Sequence, residues 1–332
     1  MKKIKIFFLF LFFLNSNLFA NENTDFEKWK KDFKQRALAN NISEKTFDLV
    51  MTDTKFLANV IKYDRYQPEF YEDTKTYISK RSSTKKLNKG IDFYLNNKDL
   101  INIVENKFKI EKELLLSLMG IETNYGTYVG KMDILSSLAT LSYDKRRSEF
   151  FSKELITALR LIDNKKINKD ILYGSWAGAF GNFQFMPSTI SNYAIDYNQN
   201  SVIELKNVED SFASAANYMK KIGWKKNNHC FYRVELKDNI PSKFLNSSAR
   251  NIKHKKNFRF YKKFIKNDLS DIVNDKEKVA IITPDVDIIP GSQTLNPAYI
   301  VFSNYEKILK WNRSLRFALA VCTLKDKFKD EL

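Results

Sequence analysis

The stretch ELLLSLMGIETNYGTYVG, residues 113–130, starts as a nearly apolar helix and ends among glycines, with one carboxylate, Glu122, between them. A helix over 111–123 sets Glu122 on one face with Leu118 and Leu115, four and seven residues earlier. A carboxylate on an apolar face is costly unless it is paired or protonated. Desolvation raises the pKa of such a group and suits it to general acid work near neutral pH. The other reading is a helix-end glutamate that reaches solvent or pairs with a lysine or arginine.

Six of the nine glycines fall between 120 and 181, at positions 120, 126, 130, 174, 178 and 181. Glycine marks positive φ or the close approach of another group. The cluster therefore reads either as tight helix packing with C-caps or as a cleft floored by backbone. GSWAGAFGNFQFMPST, 174–189, is no phosphate loop, because no GK[ST] follows and no strand–glycine–helix pattern surrounds it.

A glycosidase of the usual kind needs a second carboxylate. Asp133, Asp144, Glu149, Glu154 and Asp196 are expected in polar surroundings or at helix caps, so none matches Glu122. A lone acid fits chemistry in which the substrate supplies the nucleophile, as a sugar with an N-acetyl group or a 6-hydroxyl can.

The chain has 332 residues, 43% hydrophobic and 14% aromatic, enough for a large core. Residues 1–20 read as a secretory signal peptide: basic MKKIK, apolar IFFLFLFFL, then NSNLFA, with cleavage expected after Ala20. Nine apolar residues fall short of the roughly 20 that span a bilayer. No cysteine follows the apolar run, so no lipid-modified N-terminus is expected. Losing Lys2, Lys3 and Lys5 lowers the formal charge from +17 to +14. That charge favours an anionic partner modestly. Only two cysteines, Cys230 and Cys322, and two histidines, His229 and His254, are present, without CxxC. Neither a zinc site nor a histidine triad is expected. Cys322 falls on an apolar helical stripe, and a buried free thiol is the expectation.

Helical periodicity covers 25–38, 43–50, 55–61, 85–97, 98–106, 111–123, 133–143, 147–163, 187–195, 210–222 and 304–325. Asp210 is the expected N-cap and Gly223 the C-cap of one helix; Ser303 and Glu306 match a capping box. CFYRVEL, KVAIITP, VDIIPG and AYIVF, between 230 and 302, are short strand-like runs. The expected fold is mainly α: a helical domain over 21–229, a small β subdomain over 230–302 and a returning helix over 303–332. The run RNIKHKKNFRFYKKFIKN within the β part is a solvated surface or an anion-binding one. On the stripe Ile308, Asn312, Leu315, Leu319, Cys322, the amide of Asn312 needs partners, either backbone groups or a sugar. Trp311 beside it suits stacking on sugar rings or packing in the core.

These residues resemble the lytic murein transglycosylases of the B type, glycoside hydrolase family 103. RYQPEF (65–70), GIETNYG (120–126), LATLSYDKRRSEFFSKEL (138–155), GSWAGAFGNFQFMPST (174–189), NYAIDY (192–197), AANYMKKIGW (215–224) and WNRS (311–314) stand in the family's order and at similar spacing. The resemblance implies a lysozyme-like helical core. It implies cleavage of the β-1,4 bond between N-acetylmuramic acid and N-acetylglucosamine in peptidoglycan, with a 1,6-anhydromuramic end as product. Glu122 matches the sole acid and base. The glycines then read as relief that lets a bulky glycan reach the helix end. Ser175 matches a serine that orients that glutamate, or is a turn serine. Gln184 matches a sugar contact, or is a helix-start amide. Arg146 and Arg147 match a pair near the peptide and muramic carboxylates, or are surface charge. Asn312 matches a substrate-contacting asparagine, and Trp311 stands where tyrosine is usual. Tyr218 lines the glycan cleft or packs in the core.

Some relatives carry an EF-hand-like calcium loop after the block matching NYAID. Here DYNQNSVIELKN, 196–207, has Ser201 at position six and Asn207 at position twelve, so no tight calcium site is expected. The resemblance implies no cofactor. The partners expected are peptidoglycan strands and cell-wall synthesis proteins, not nucleic acid, for a monomer in a Gram-negative periplasm. A hydrolytic muramidase and a non-catalytic peptidoglycan-binding scaffold are the competing readings.

Overall fold

The computed structural model describes residues 24–66, 72–286 and 288–332. The expected signal peptide and residues 67–70 of RYQPEF lie outside the described residues. In chain order come α1 (24–39), α2 (Glu44–Met51), α3 (Ala58–Arg65), α4 (Thr74–Arg81), α5 (Thr84–Asn96), α6 (Lys98–Phe108) and α7 (Lys112–Thr123). Strand β1 (Met132–Asp133) leads to α8 (Ile134–Tyr143), α9 (Ser148–Asp163), β2 (Tyr173–Gly174), α10 (Pro187–Tyr193) and α11 (Val208–Lys221). The remainder is β3 (Phe231–Val234), β4 (Leu245–Asn246), β5 (Lys256–Asn257), α12 (Phe258–Lys262), β6 (Lys278–Ile282), β7 (Ala298–Val301), α13 (Ser303–Trp311) and α14 (Leu315–Glu331).

The chain folds as two compact units, which divide it at places other than 229 and 302. Residues 24–66, 129–192 and 199–204 form one; 72–128, 193–198, 205–286 and 288–332 form the other. In the first unit α8 packs on α9 and α3, and α2 packs on α9. Asp133 caps α8 by accepting from the amides of Leu135 (2.9 Å) and Ser136 (3.1 Å). Strands β1 and β2 pair antiparallel, Met132 opposite Gly174. A Cβ on Gly130 would lie 2.1 Å from the Gly174 carbonyl oxygen, and φ there is +85°, so only glycine fits. Glu154 is buried rather than in polar surroundings. It is satisfied locally by the Ser188 amide (2.8 Å) and hydroxyl (2.7 Å).

In the second unit α7 is the central helix. Leu114, Leu115, Leu116 and Leu118 are all inaccessible to solvent, so ELLLSL is apolar on every side because α5, α6, α11 and α14 pack around it. The sheet runs β3–β7–β6–β4, with β5 pairing β6; the β4–β6 pair is parallel and the others antiparallel. Ile281 lies opposite Ile300, both fully buried with Val234, Tyr261 and Phe302.

Several expectations change here. Cys230 and Cys322 are not thiols: they form a disulfide, Cα to Cα 6.2 Å, because α14 passes the start of β3. The helix expected over 304–325 is two helices. Asn312 is extended (φ −139°, ψ 123°) as the C-cap of α13, and the Ser314 hydroxyl caps α14 through the Phe317 amide at 3.2 Å. The Tyr305 hydroxyl donates to the Leu315 carbonyl at 2.7 Å and holds the break. Ser303 is the first residue inside α13, so no capping box forms. Asn207, not Asp210, caps α11; Asp210 is buried and accepts from the Tyr197 amide at 2.8 Å. Gly223, at φ +84°, does end that helix region. VDIIPG holds no strand among its described residues. It turns where the Ile288 and Ile289 amides donate to the Asp285 carbonyl, at 3.1 and 2.9 Å. Helices α4 and α12 are additional; α4 starts at Asp73, whose carboxylate accepts from the Thr76 amide.

Candidate active site

Helix α7 ends in three successive left-handed residues, Asn124, Tyr125 and Gly126, at φ 51°, 59° and 76°. Its last carbonyls are met from outside by Lys86, whose ammonium donates to the Gly120 carbonyl (2.6 Å) and to Asn124 Oδ1 (3.3 Å). A cation there complements the helix C-terminus. Burial, with Lys89 and Arg81 adding, holds the Lys86 ammonium below its ordinary pKa. Nothing in the sequence pattern around Lys86 signals this role.

Gly120 does not open the helix end to a ligand. A Cβ there would sit 2.5 Å from Tyr125 Oη, because the Tyr125 ring folds back over the helix. The glycine serves close packing, one of the two readings its spacing allowed. Tyr125 is buried, and burial pushes its phenol well above the ordinary value.

Glu122 is half-buried, one residue before the end of α7. Trp311, the last residue of α13, donates its indole N–H to Glu122 Oε1 at 3.0 Å. Indole is a donor only, so it can orient the carboxylate but cannot exchange a proton with it. The Tyr218 ring stacks on Trp311 at 5.0 Å, and Tyr193 stacks on Tyr218 at 4.1 Å. Tyr218 Oη donates to the Lys310 carbonyl at 2.9 Å. Burial, then Tyr193, pushes the Tyr218 phenol up to about 12, so Tyr218 supplies a face rather than a proton. Asn312 follows Trp311 directly and is half-buried; its backbone accepts from the Ser314 amide at 2.8 Å. Glu122, Trp311, Tyr218 and Asn312 thus gather in one unit around the end of α7, and Tyr193, not singled out in the sequence, extends the aromatic row.

The other sequence candidates belong to the first unit. Ser175 closes a turn: its hydroxyl accepts from the Ala179 amide at 2.9 Å, and its own amide donates to the Ala179 carbonyl at 2.9 Å. Gln184, at φ 50°, donates from Nε2 to the carbonyls of Gly181 (2.9 Å) and Val129 (3.2 Å). Arg146 and Arg147 converge on Asp64, a buried carboxylate. Arg146 Nε reaches Oδ2 at 2.6 Å, Arg147 reaches Oδ1, and the Arg147 guanidinium lies over the Phe151 ring. The pair therefore anchors α3 to the start of α9 within its own unit.

The segment 196–207 does not fit a calcium ion of the EF-hand kind. Ser201 takes the left-handed backbone (φ 74°) at the position where glycine is usual. Asn207 at position twelve uses its side-chain oxygen to cap α11, accepting from the Glu209 amide at 2.7 Å. Among the described residues, no group of three or more His, Cys, Asp or Glu side chains gathers as metal ligands.

A family model described as the transglycosylase SLT domain matches residues 25–326, nearly the whole described chain. The chain belongs to the SLT-domain transglycosylase family. This SLT-domain chain is 38% identical over 138 residues to membrane-bound lytic murein transglycosylase B of Escherichia coli (strain K12). That alignment covers 41% of this chain and only 38% of the relative's length. SltB3 from Pseudomonas aeruginosa, solved in complex with NAG-NAM-pentapeptide, superposes with a TM-score of 0.79 at 28% identity, over 92% of this chain and 79% of that one. SltB1 from Pseudomonas aeruginosa gives the same TM-score at 22% identity, over 91% and 99%. The SLT-domain fold is mainly α, lysozyme-like, with a small sheet part. No helix among the described residues is long and apolar enough to cross a membrane.

Proposed function

We propose that the protein is a peptidoglycan lytic transglycosylase of the bacterial envelope, acting in the periplasm after removal of the N-terminal signal. The observation that carries this reading is Glu122. It is the half-buried carboxylate at the end of the central helix, oriented by a donor that cannot titrate and bordered by stacked aromatic rings.

In this reading Glu122 gives its proton to the glycosidic oxygen between N-acetylmuramic acid and N-acetylglucosamine, and the C1–O bond breaks. The muramic 6-hydroxyl oxygen then bonds to C1, and its proton returns to Glu122, assisted by the 2-acetamido group. No water is consumed, and one carboxylate serves both steps. Tyr218 and Trp311 offer faces for sugar rings, and the Asn312 side chain contacts the substrate. By position in the matching blocks, Ser175 takes the place of the family's orienting serine, Gln184 that of a sugar contact, and Arg146 with Arg147 that of the pair serving the muramic and peptide carboxylates. These roles are supported by the family membership and by their positions in the matching sequence blocks. No cofactor takes part.

Mass spectrometry of the muropeptides released from purified peptidoglycan tests this. Anhydro ends, one water lighter than reducing ends, are expected. Reducing muramic ends would instead make the protein a hydrolase, and no release at all would make it a binding module.

A further inference from the structure

Trp311, from α13, holds Glu122 by its side chain. The backbone around Glu122 is held from a different element. Residues 86, 89 and 90 share one face of α5, three and four positions apart, and all three meet the turn that ends α7. The Lys86 ammonium donates to the Gly120 carbonyl at 2.6 Å and to Asn124 Oδ1 at 3.3 Å. Lys89 donates to the Thr127 hydroxyl. Gly90 leaves room for the Tyr125 ring, since a Cβ there would lie 2.4 Å from Tyr125 Oη. Phe93, farther along α5, stacks on the same ring at 5.8 Å.

These contacts bracket the acid. Gly120 stands two residues before Glu122 and Asn124 two residues after it. Two residues are about 200° of helix, so positions 120 and 122 face nearly opposite sides of α7. Helix α5 therefore grips the back of the helix end, while Trp311 takes the carboxylate. The Gly120 carbonyl also accepts from the Asn124 amide at 3.1 Å, so Lys86 reinforces the last hydrogen bond of the helix.

Stability alone does not account for a lysine here. Lys86 is half-buried, its two partners are neutral oxygens, and it makes no ion pair among the described residues. Burying an ammonium without a counter-ion is costly. The support it gives is needed locally, because Asn124, Tyr125 and Gly126 are all left-handed and offer the end of α7 no regular continuation. The buried Tyr125 hydroxyl has no hydrogen-bond partner among the described residues, so that ring fills the slot by shape and ties nothing down. The directional restraint on this turn comes from Lys86.

We infer that Lys86 is a positioning residue for the reaction: by tying the Gly120 carbonyl and the Asn124 side chain to α5, it fixes the backbone that carries Glu122, so that the carboxylate is presented to the glycosidic oxygen in register with the Trp311 donor. This role rests on the proposed reading of Glu122 as the acid and adds the support that aligns it.

Lys86→Met keeps the aliphatic stem and removes the donor. In the full-length protein, kcat for release of anhydro ends from purified peptidoglycan is expected to fall roughly 10- to 100-fold with KM little changed. Lys86→Arg, which restores a cationic donor, should recover most of that loss. The indole N–H resonance of Trp311, assigned by its absence in Trp311→Phe, reads the alignment without substrate. It should shift and exchange faster with water in Lys86→Met, and return toward the wild-type position in Lys86→Arg. A lower thermal midpoint with kcat and the indole resonance both unchanged would overturn the inference, because Lys86 would then serve stability only. So would a loss confined to KM, or an equal loss in Lys86→Met and Lys86→Arg. If Lys86→Met does not fold, Lys86→Gln, which keeps a neutral donor of shorter reach, is expected to fold and to show the same fall in kcat. Wild-type kcat in a folded Lys86→Gln protein would overturn the inference equally. A displaced indole resonance in Lys86→Met, together with a wild-type protein that releases no anhydro ends, would instead count against the catalytic reading alone.

Discussion

Trp311 and Glu122 lie 189 residues apart in the chain, and the Trp311 indole N–H donates to Glu122 Oε1 at 3.0 Å. The bond joins the last residue of α13 to the end of α7, and the chain leaves the helix at the next residue, Asn312.

Trp311→Phe keeps an aromatic ring against Tyr218 and removes the donor. Hydrogen bonds to charged groups contribute about 1.5–3 kcal/mol, so kcat on peptidoglycan is expected to fall roughly 10- to 100-fold with KM little changed. Trp311→Ala also loses the stacking face and should raise KM. An unchanged kcat in Trp311→Phe would show that the bond does not position the acid.

Glu111 gives a pH signature of stability. It is buried and accepts from the Trp224 indole N–H at 2.9 Å. Burial is the largest influence and raises its pKa, against the pull of the Trp224 bond and Lys325. With the folded pKa above the unfolded one, this contribution is full below about pH 4.3. It is lost as pH rises through the folded value, because the unfolded chain gives up the proton first. Glu111→Gln retains an acceptor for Trp224 and should flatten that decline in thermal midpoint with pH. Parallel curves for the two proteins would refute the assignment.

The disulfide closes a span of 92 residues around the sheet. Chain-entropy arguments put such a cross-link at about 4–5 kcal/mol. Replacing both Cys230 and Cys322 with serine should lower the unfolding free energy by about that amount in denaturant titration. A loss below about 1 kcal/mol would mean that the unfolded chain is little constrained by the bond.

Calcium should leave the protein unaffected. A site with a dissociation constant near 10 µM would add about 2.7 kcal/mol at millimolar calcium. With Asn207 engaged in capping α11, no rise in thermal midpoint is expected on adding calcium or fall on chelation. A clear rise would restore the loop as a metal site.

Much of the site was legible because local pattern and chemistry coincide in α7. The run ELLLSL could only be a buried helix, and a single acid at its end was conspicuous. Asn312 was misplaced for a local reason. Periodicity ran smoothly from Ile308 to Cys322, while the interruption depends on the Ser314 cap and on the bond from Tyr305 to the Leu315 carbonyl, neither of which alters apolar spacing. The Cys230–Cys322 pairing depends on where α14 passes β3, which spacing does not encode. The packing role of Gly120 waited on the left-handed turn that brings Tyr125 back over the helix. The placing of Lys86 at the end of α7 is a product of tertiary assembly, 34 residues from the Gly120 carbonyl it meets.

The central claim is that Glu122 is the one group that moves the proton. Glu122→Gln keeps the size of the side chain and an acceptor for Trp311, so the fold should hold and the thermal midpoint should stay close to that of the wild type. Release of 1,6-anhydromuramic ends from purified peptidoglycan, counted by mass spectrometry, is expected to fall by roughly 100- to 10,000-fold. Anhydro product at near wild-type rates from a folded Glu122→Gln protein would contradict the account.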